Sequence, residues 1–428
     1  MIRTGEATRT PLTANQIKGF WAAWGGWALD GMDSFIYALV LTPALTELLP
    51  RSGIAATPGN VGYYGSVLFA LFLLGWGASM AWGPIADRFG RVRTLALTIL
   101  CYSAFTFAAA LATSLWQLAI FRLLAGVGIG GEWAIGGTFV AEAWPEDRRR
   151  MGAGYLHTGY YFGFFLAAIA NALVGARYGW RWMFAIGGTP ALLVTFIQAA
   201  VHESTTWERQ ARTHPSVVAA FAKLFTPEYA RRTWLNSTYL LVSIVGLWAG
   251  SVYVPASVTQ IAAREGYGAA DAARFASYGT MILSVGTILG CLVLPPLADR
   301  YGRRLTLGAY FVVMMLSIAI GFGYVFYLER ALTPFMVALF ALGVGGANFA
   351  MYTLWLPEQY ATDCRASAFA FATSVGRFAG AGITFLVGAG VAYYHTIGTP
   401  VAFTAVAFAI GLFALPFGEE TTGKPLPT

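Results

Sequence analysis

Stretches of about 20 apolar residues recur along this chain, each long enough as a helix to cross the hydrocarbon core of a bilayer. They predict spans near 19-46, 61-84, 94-112, 115-141, 151-175 and 180-201, then near 234-261, 274-297, 305-327, 333-356, 366-391 and 399-417. Twelve such spans in 428 residues leave short loops and no room for a separate soluble domain. The composition agrees: 11% of residues are charged, against about 25% in globular domains, and mean hydropathy is +0.61. The expected fold is an all-α membrane protein, with twelve transmembrane helices in two pseudo-symmetric six-helix bundles. Cys101, Cys291 and Cys364 are scattered, giving neither a disulfide framework nor metal-ligand spacing, so no metal or cofactor is expected.

Charge sets the expected orientation. Of 27 basic residues, 19 fall on segments that share a side with the N-terminus, six on the opposite loops, and two (Arg122 and Arg377) within spans. That bias places both termini in the cytoplasm. The net charge of +7 is then a topology signal, and no nucleic-acid partner is expected. The first residues are polar, without the apolar core and small-residue cleavage site of a signal peptide. The expected organisation is a cytoplasmic tail at 1-18, a bundle at 19-201, a cytoplasmic linker at 202-233, a bundle at 234-417 and a tail at 418-428. An amphipathic piece around 217-225 is expected on the inner surface.

The halves repeat. GPIADRFGRVRTL (83-95) is answered by PPLADRYGRRLTL (295-307), with Pro84/Pro296, Asp87/Asp299, Arg88/Arg300, Gly90/Gly302 and Arg91/Arg303 at one constant offset. Parallel repeats of this kind are a transporter plan with the substrate site between the halves. GPIADRFGRVR resembles the G-x-x-x-D-R-x-G-R loop signature of the major facilitator superfamily, and RLLAGVGIGG (122-131) its R-x-x-x-G-x-G-x-G signature. The resemblance covers about residues 20-420. Within it, ALDGMD (28-33), GGEW (130-133), AEAWPEDRRR (141-150) and GEETTGKPLP (418-427) look like the metabolite, sialate and aromatic-acid:proton symporter families. Span five lacks the G-x-x-x-G-P-x-x-G-G pattern typical of drug/proton antiporters.

Ionisable groups inside a membrane are costly and therefore functional candidates. Five stand out: Asp30, Asp33, Arg122, Glu132 and Arg377. At 1.5 Å per residue, Asp33 lies about 22 Å from the inner edge and Arg122 about 12 Å from the outer edge, so an ion pair between spans one and four is feasible. The resemblance implies that this pair couples a proton to transport; Asp30 or Glu132 is the alternative proton site. Arg377 has no acid within a helical turn and suits bidentate binding of a carboxylate; its alternative partners are Glu132 and Asp30. His157 titrates near neutral pH and either reads substrate or bonds a neighbouring helix. Asn348, Tyr160, Tyr161, Trp248 and Tyr352 sit at cavity depth and imply a partly aromatic substrate pocket.

The resemblance further implies that Asp87 caps a second-half helix. It implies also that Arg88, Arg91 and Glu142, with Asp299, Arg300, Arg303 and Glu358 in the other half, form an inner gate. The function expected is uptake of a small organic carboxylate with a proton, by alternating access, by a monomer in the cell inner membrane. The competing reading is a sugar or polyol symporter. A membrane-embedded transferase would use Asp30 and Asp33 on a diphosphate, but span seven offers no second acidic cluster, so no enzyme is expected. Gly126, Gly128 and Gly131 fit G-x-G-x-x-G without a preceding strand, so no dinucleotide site is expected either.

Overall fold

The computed structural model describes residues 10–203 and 216–427, all helix, turn or coil, with no strand among them. The first span starts earlier than hydropathy suggests. Thr13 accepts from the Gln16 N–H while Gln16 accepts from the Thr13 N–H, a capping box that opens a helix over Ala14–Arg51. Among the described residues, ten helical segments are long and apolar enough to cross a bilayer. The remaining two are interrupted. The sixth span is Trp180–Gly187 followed by Ala191–Ala200, broken at Pro190. The seventh is Ala230–Ser251 and then Val254–Arg264, with Pro255 at the restart. A short helix, Val217–Lys223, lies in the linker.

Spans one to six and seven to twelve form the two halves. Across the seam, span two packs on span eleven and span five on span eight, while spans three, six, nine and twelve pack within their own half. Large apolar side chains left exposed, such as Trp116, Ile120, Leu192, Leu305 and Phe413, clothe the outside, as a lipid solvent requires. Within the first half, Gly31 abuts the Tyr160 carbonyl and Gly163 the Ala28 carbonyl. A Cβ at either would push spans one and five apart, and with them Trp27 from Tyr160.

The sequence repeat becomes a repeated structure on the face that carries both described chain ends. Gly90 (φ +109°) and Gly302 (φ +89°) make the sharp turns out of spans two and eight, in a region only glycine occupies cheaply. Over each turn sits a glutamate. Glu203 accepts from the N–H groups of Arg91, Val92 and Arg93 at 2.9, 2.9 and 3.3 Å. Glu420 accepts from those of Arg303 and Arg304 at 3.0 and 3.3 Å. Each carboxylate thus caps a helix N-terminus. Burial raises the Glu203 carboxyl above its ordinary range despite these donors. At the less buried Glu420, burial pushes the same way, but hydrogen bonds from Thr422, Arg303 and Arg304 outweigh it and hold the group below that range.

Candidate substrate and coupling site

One face of span one presents Trp27, Asp30 and Asp33 toward the interior, and all three are buried. Asp33 meets Arg122 of span four, Oδ2 to Nη1, at 3.3 Å, with both side chains 0% exposed. The guanidinium also lies over the rings of Phe72 (4.3 Å) and Tyr37 (4.8 Å). These π faces replace hydration that burial removes.

One turn away, the Glu132 carboxylate presses on Gly26, in register with Asp30, and the two carboxyl groups lie within hydrogen-bonding reach of each other. Both are essentially unexposed. Two buried carboxyl groups brought together inside the membrane are a candidate proton site.

Arg377 enters from span eleven. Its guanidinium stacks on Trp76 at 4.0 Å and on Trp133 at 5.8 Å. Nη1 donates to the Thr373 carbonyl at 3.0 Å, and Nε has no hydrogen-bond partner among the described residues. No carboxylate there lies within ion-pair distance of it; Asp30 and Tyr160 are its electrostatic neighbours. A small space with room for about one water lies beside it, lined by Trp27, Trp76, Trp133, His157, Tyr160, Tyr161, Ile244, Phe349 and Arg377. Its walls are largely aromatic: Trp27 stacks on Tyr160 at 4.6 Å and on Trp133 at 5.5 Å.

Of the expected cavity residues, His157, Tyr160, Tyr161 and Arg377 line this space together. Tyr352 does not. Its hydroxyl donates to the Tyr239 carbonyl at 2.8 Å and shares a 2.7 Å bond with Ser243, fastening span ten to span seven. Asn348 is buried beside the cavity, its amide donating to Gly345. The Trp248 side chain lies outside the described residues. Trp27, Trp76, Trp133, Ile244 and Phe349 complete the lining without having been expected there.

Beneath the cavity, the face that carries the chain ends is sealed. Asp87 Oδ2 accepts from the N–H and hydroxyl of Ser367 at 3.0 and 2.5 Å, capping the first turn of span eleven, and Asp87 also pairs with Arg91. Glu142 holds Arg91 at 3.0 Å and Arg365, from the other half, at 3.1 Å. Arg303 grips Glu358 through two 3.0 Å bonds, and Asp299 joins Arg303 and Arg150. The network departs from expectation in two members. Arg88 and Arg300 are exposed, over Phe89 and Tyr301, outside these ion pairs. Each follows its aspartate by one residue, about 100° around the helix, and so faces away from the seam. Arg365 and the Lys223–Asp363 bridge at 2.7 Å were not anticipated.

Cys364, fully buried next to Arg365, reports on this seal. In a variant with Cys101 and Cys291 replaced by serine, Asp87→Ala is expected to raise the rate of maleimide labelling at Cys364 about tenfold, as local opening becomes cheaper. An unchanged rate would show that Asp87 does not hold the seam.

Comparison with known proteins now decides the family. A model described as Major Facilitator Superfamily matches residues 23–384. The chain belongs to that superfamily. This superfamily member is 33% identical over 424 residues to a probable 4-methylmuconolactone transporter from Cupriavidus pinatubonensis, covering 95% of this chain and 91% of the relative. It is 27% identical over 450 residues to a niacin transporter from Acinetobacter baylyi, with 95% and 94% covered. A xylose transporter from E. coli, in a partially occluded inward-open conformation, superposes with a TM-score of 0.73 at 18% identity, over 97% of this chain and 100% of that one. At that identity the likeness fixes the fold alone. The protein is thus a multi-pass transporter of small metabolites, and its relatives are transporters rather than enzymes.

Proposed function

We propose that this transporter carries a small planar ring carboxylate into the cell together with a proton, by alternating access. The observation that carries the reading is Arg377: a buried guanidinium in an aromatic box, with donors to spare and, among the described residues, no carboxylate paired to it. A carboxylate fits its planar fork, and the ring behind that carboxylate fits the indole and phenol faces. A sugar needs no such cation. The names of relatives that carry niacin and 4-hydroxybenzoate lie in the same direction.

On this reading the proton rides on span one. The incoming anion settles on Arg377 beside Asp30 and raises the local negative charge, which favours a proton on the Asp30–Glu132 pair. Protonation of Asp33 would likewise loosen its hold on Arg122. Either step makes occupancy by proton and by substrate mutually favourable, the reciprocity that coupling requires. The sealed face, which carries the basic excess, is the cytoplasmic side with both termini, so the state described loads from outside. We place the protein in the cell inner membrane, acting as a monomer.

The test is uptake into proteoliposomes of benzoate, 4-hydroxybenzoate, nicotinate and xylose, with and without an inward proton gradient. Gradient-stimulated uptake of the ring acids and none of xylose is the expected result. Uptake indifferent to the gradient rejects proton coupling, and uptake of xylose alone rejects the carboxylate.

A further inference from the structure

His157 lines the cavity and has no part in the steps proposed above. It is 1% exposed, and neither Nδ1 nor Nε2 has a hydrogen-bond partner among the described residues. Aromatic rings surround it: Phe349 lies parallel at 6.0 Å with a 2° interplanar angle, while Trp27 and Trp133 stand tilted at 5.9 and 5.6 Å. A hydrogen-bond partner of either nitrogen comes in the plane of the imidazole. The Tyr160 and Tyr161 hydroxyls also lack a hydrogen-bond partner among the described residues, but the imidazole leaves two such atoms, one donor and one acceptor. Polar atoms of this kind are costly to leave unmade, and both belong to a residue that lines the same space as Arg377.

We propose that His157 reads the end of the substrate remote from its carboxylate, so that the site selects ring acids bearing a second hydrogen-bonding group there, such as a hydroxyl, a ring nitrogen or a carbonyl. The inference rests on Arg377 holding the carboxylate. Trp133 relates the two groups: its ring centre is 5.8 Å from the Arg377 guanidinium and 5.6 Å from the imidazole. Both border that indole and line the same space, so a substrate held there by Arg377 meets His157. A neutral imidazole offers one donor and one acceptor. It thus accepts from a hydroxyl, donates to a ring nitrogen or carbonyl, and gives nothing to a bare hydrocarbon edge. Arg377 and the indole N–H groups can only donate, so they cannot replace it as an acceptor.

The experiment measures binding to the purified full-length protein by quenching of its tryptophan fluorescence, since three indoles line the cavity. Benzoate and 4-hydroxybenzoate form a matched pair that differs in one hydroxyl. Wild type is expected to bind the hydroxylated acid about tenfold more tightly, the scale of one buried hydrogen bond. His157→Phe keeps an aromatic ring at the site and is expected to abolish the preference, whatever it does to the affinity for benzoate alone. His157→Gln keeps a donor and an acceptor and is expected to restore part of it. The preference is a ratio, so a partly inactive preparation does not distort it. No preference in wild type, or a preference that survives His157→Phe, overturns the proposal while leaving Arg377 as the anchor. Arg377→Ala that still binds benzoate at wild-type affinity overturns the carboxylate reading itself, and failure of wild type to bind any of these acids overturns both.

Discussion

Replacing Arg377 with alanine is expected to lower the uptake of ring carboxylates by about 30-fold or more, since truncating one partner of a buried charged contact costs about 2–5 kcal/mol. The loss arises in the bound state, where the substrate carboxylate would be dry and without a counter-charge. Arg377→Lys restores the charge but neither the planar fork nor the stacking on Trp76, so it is expected to recover only a small part of the rate. Substrate exchange across liposomes at equal pH measures this without involving the proton. Exchange of a carboxylate at the wild-type rate by the alanine variant would reduce Arg377 to a packing residue.

Asp33→Asn has the other large expected effect, on two readouts. Arg122 would remain fully buried with aromatic faces but no counter-ion, a situation that costs about 3–5 kcal/mol in a protein interior. Thermal unfolding in detergent should therefore move to markedly lower temperature. A double variant with leucine at both positions removes the stranded charge and is expected to recover most of that stability. It should not recover acceleration by a proton gradient. Comparison with Asp30→Asn and Glu132→Gln assigns the proton: gradient-driven uptake that survives Asp33→Asn and is lost in Asp30→Asn moves the coupling step to the carboxyl pair.

Much of this architecture was legible in the chain. Hydropathy places the spans because a bilayer leaves a helix few ways to satisfy its backbone, and depth counting brought Asp33 to Arg122 because rise per residue is nearly constant. The repeated loop announced two halves. What remained hidden depends on helix rotation and on partners far apart in sequence. Trp76, on span two, meets Arg377 only because spans two and eleven pack across the seam. Trp133 bonds Thr353 at 2.9 Å, 220 residues away. Glu203 and Glu420 were missed although each opens a Glu-Ser/Thr-Thr run after a sixth span. Their shared position relative to Gly90 and Gly302 was the available signal. Arg88 and Arg300 misled because sequence identity between the halves carries no information about which way a side chain turns.

The two glutamate-capped turns are near copies, yet the cavity between the halves is lopsided: the first half lends it six side chains, and the second lends Ile244, Phe349 and Arg377. The capped turns are therefore held in duplicate, while the cavity that we propose holds the cargo is built mostly by one half. On that proposal, a lineage built on this plan exchanges what it carries by altering His157 and its aromatic neighbours, and leaves the capped turns near the chain ends as they were. Diversity of diet and constancy of motion then draw on separate residues of the same helices.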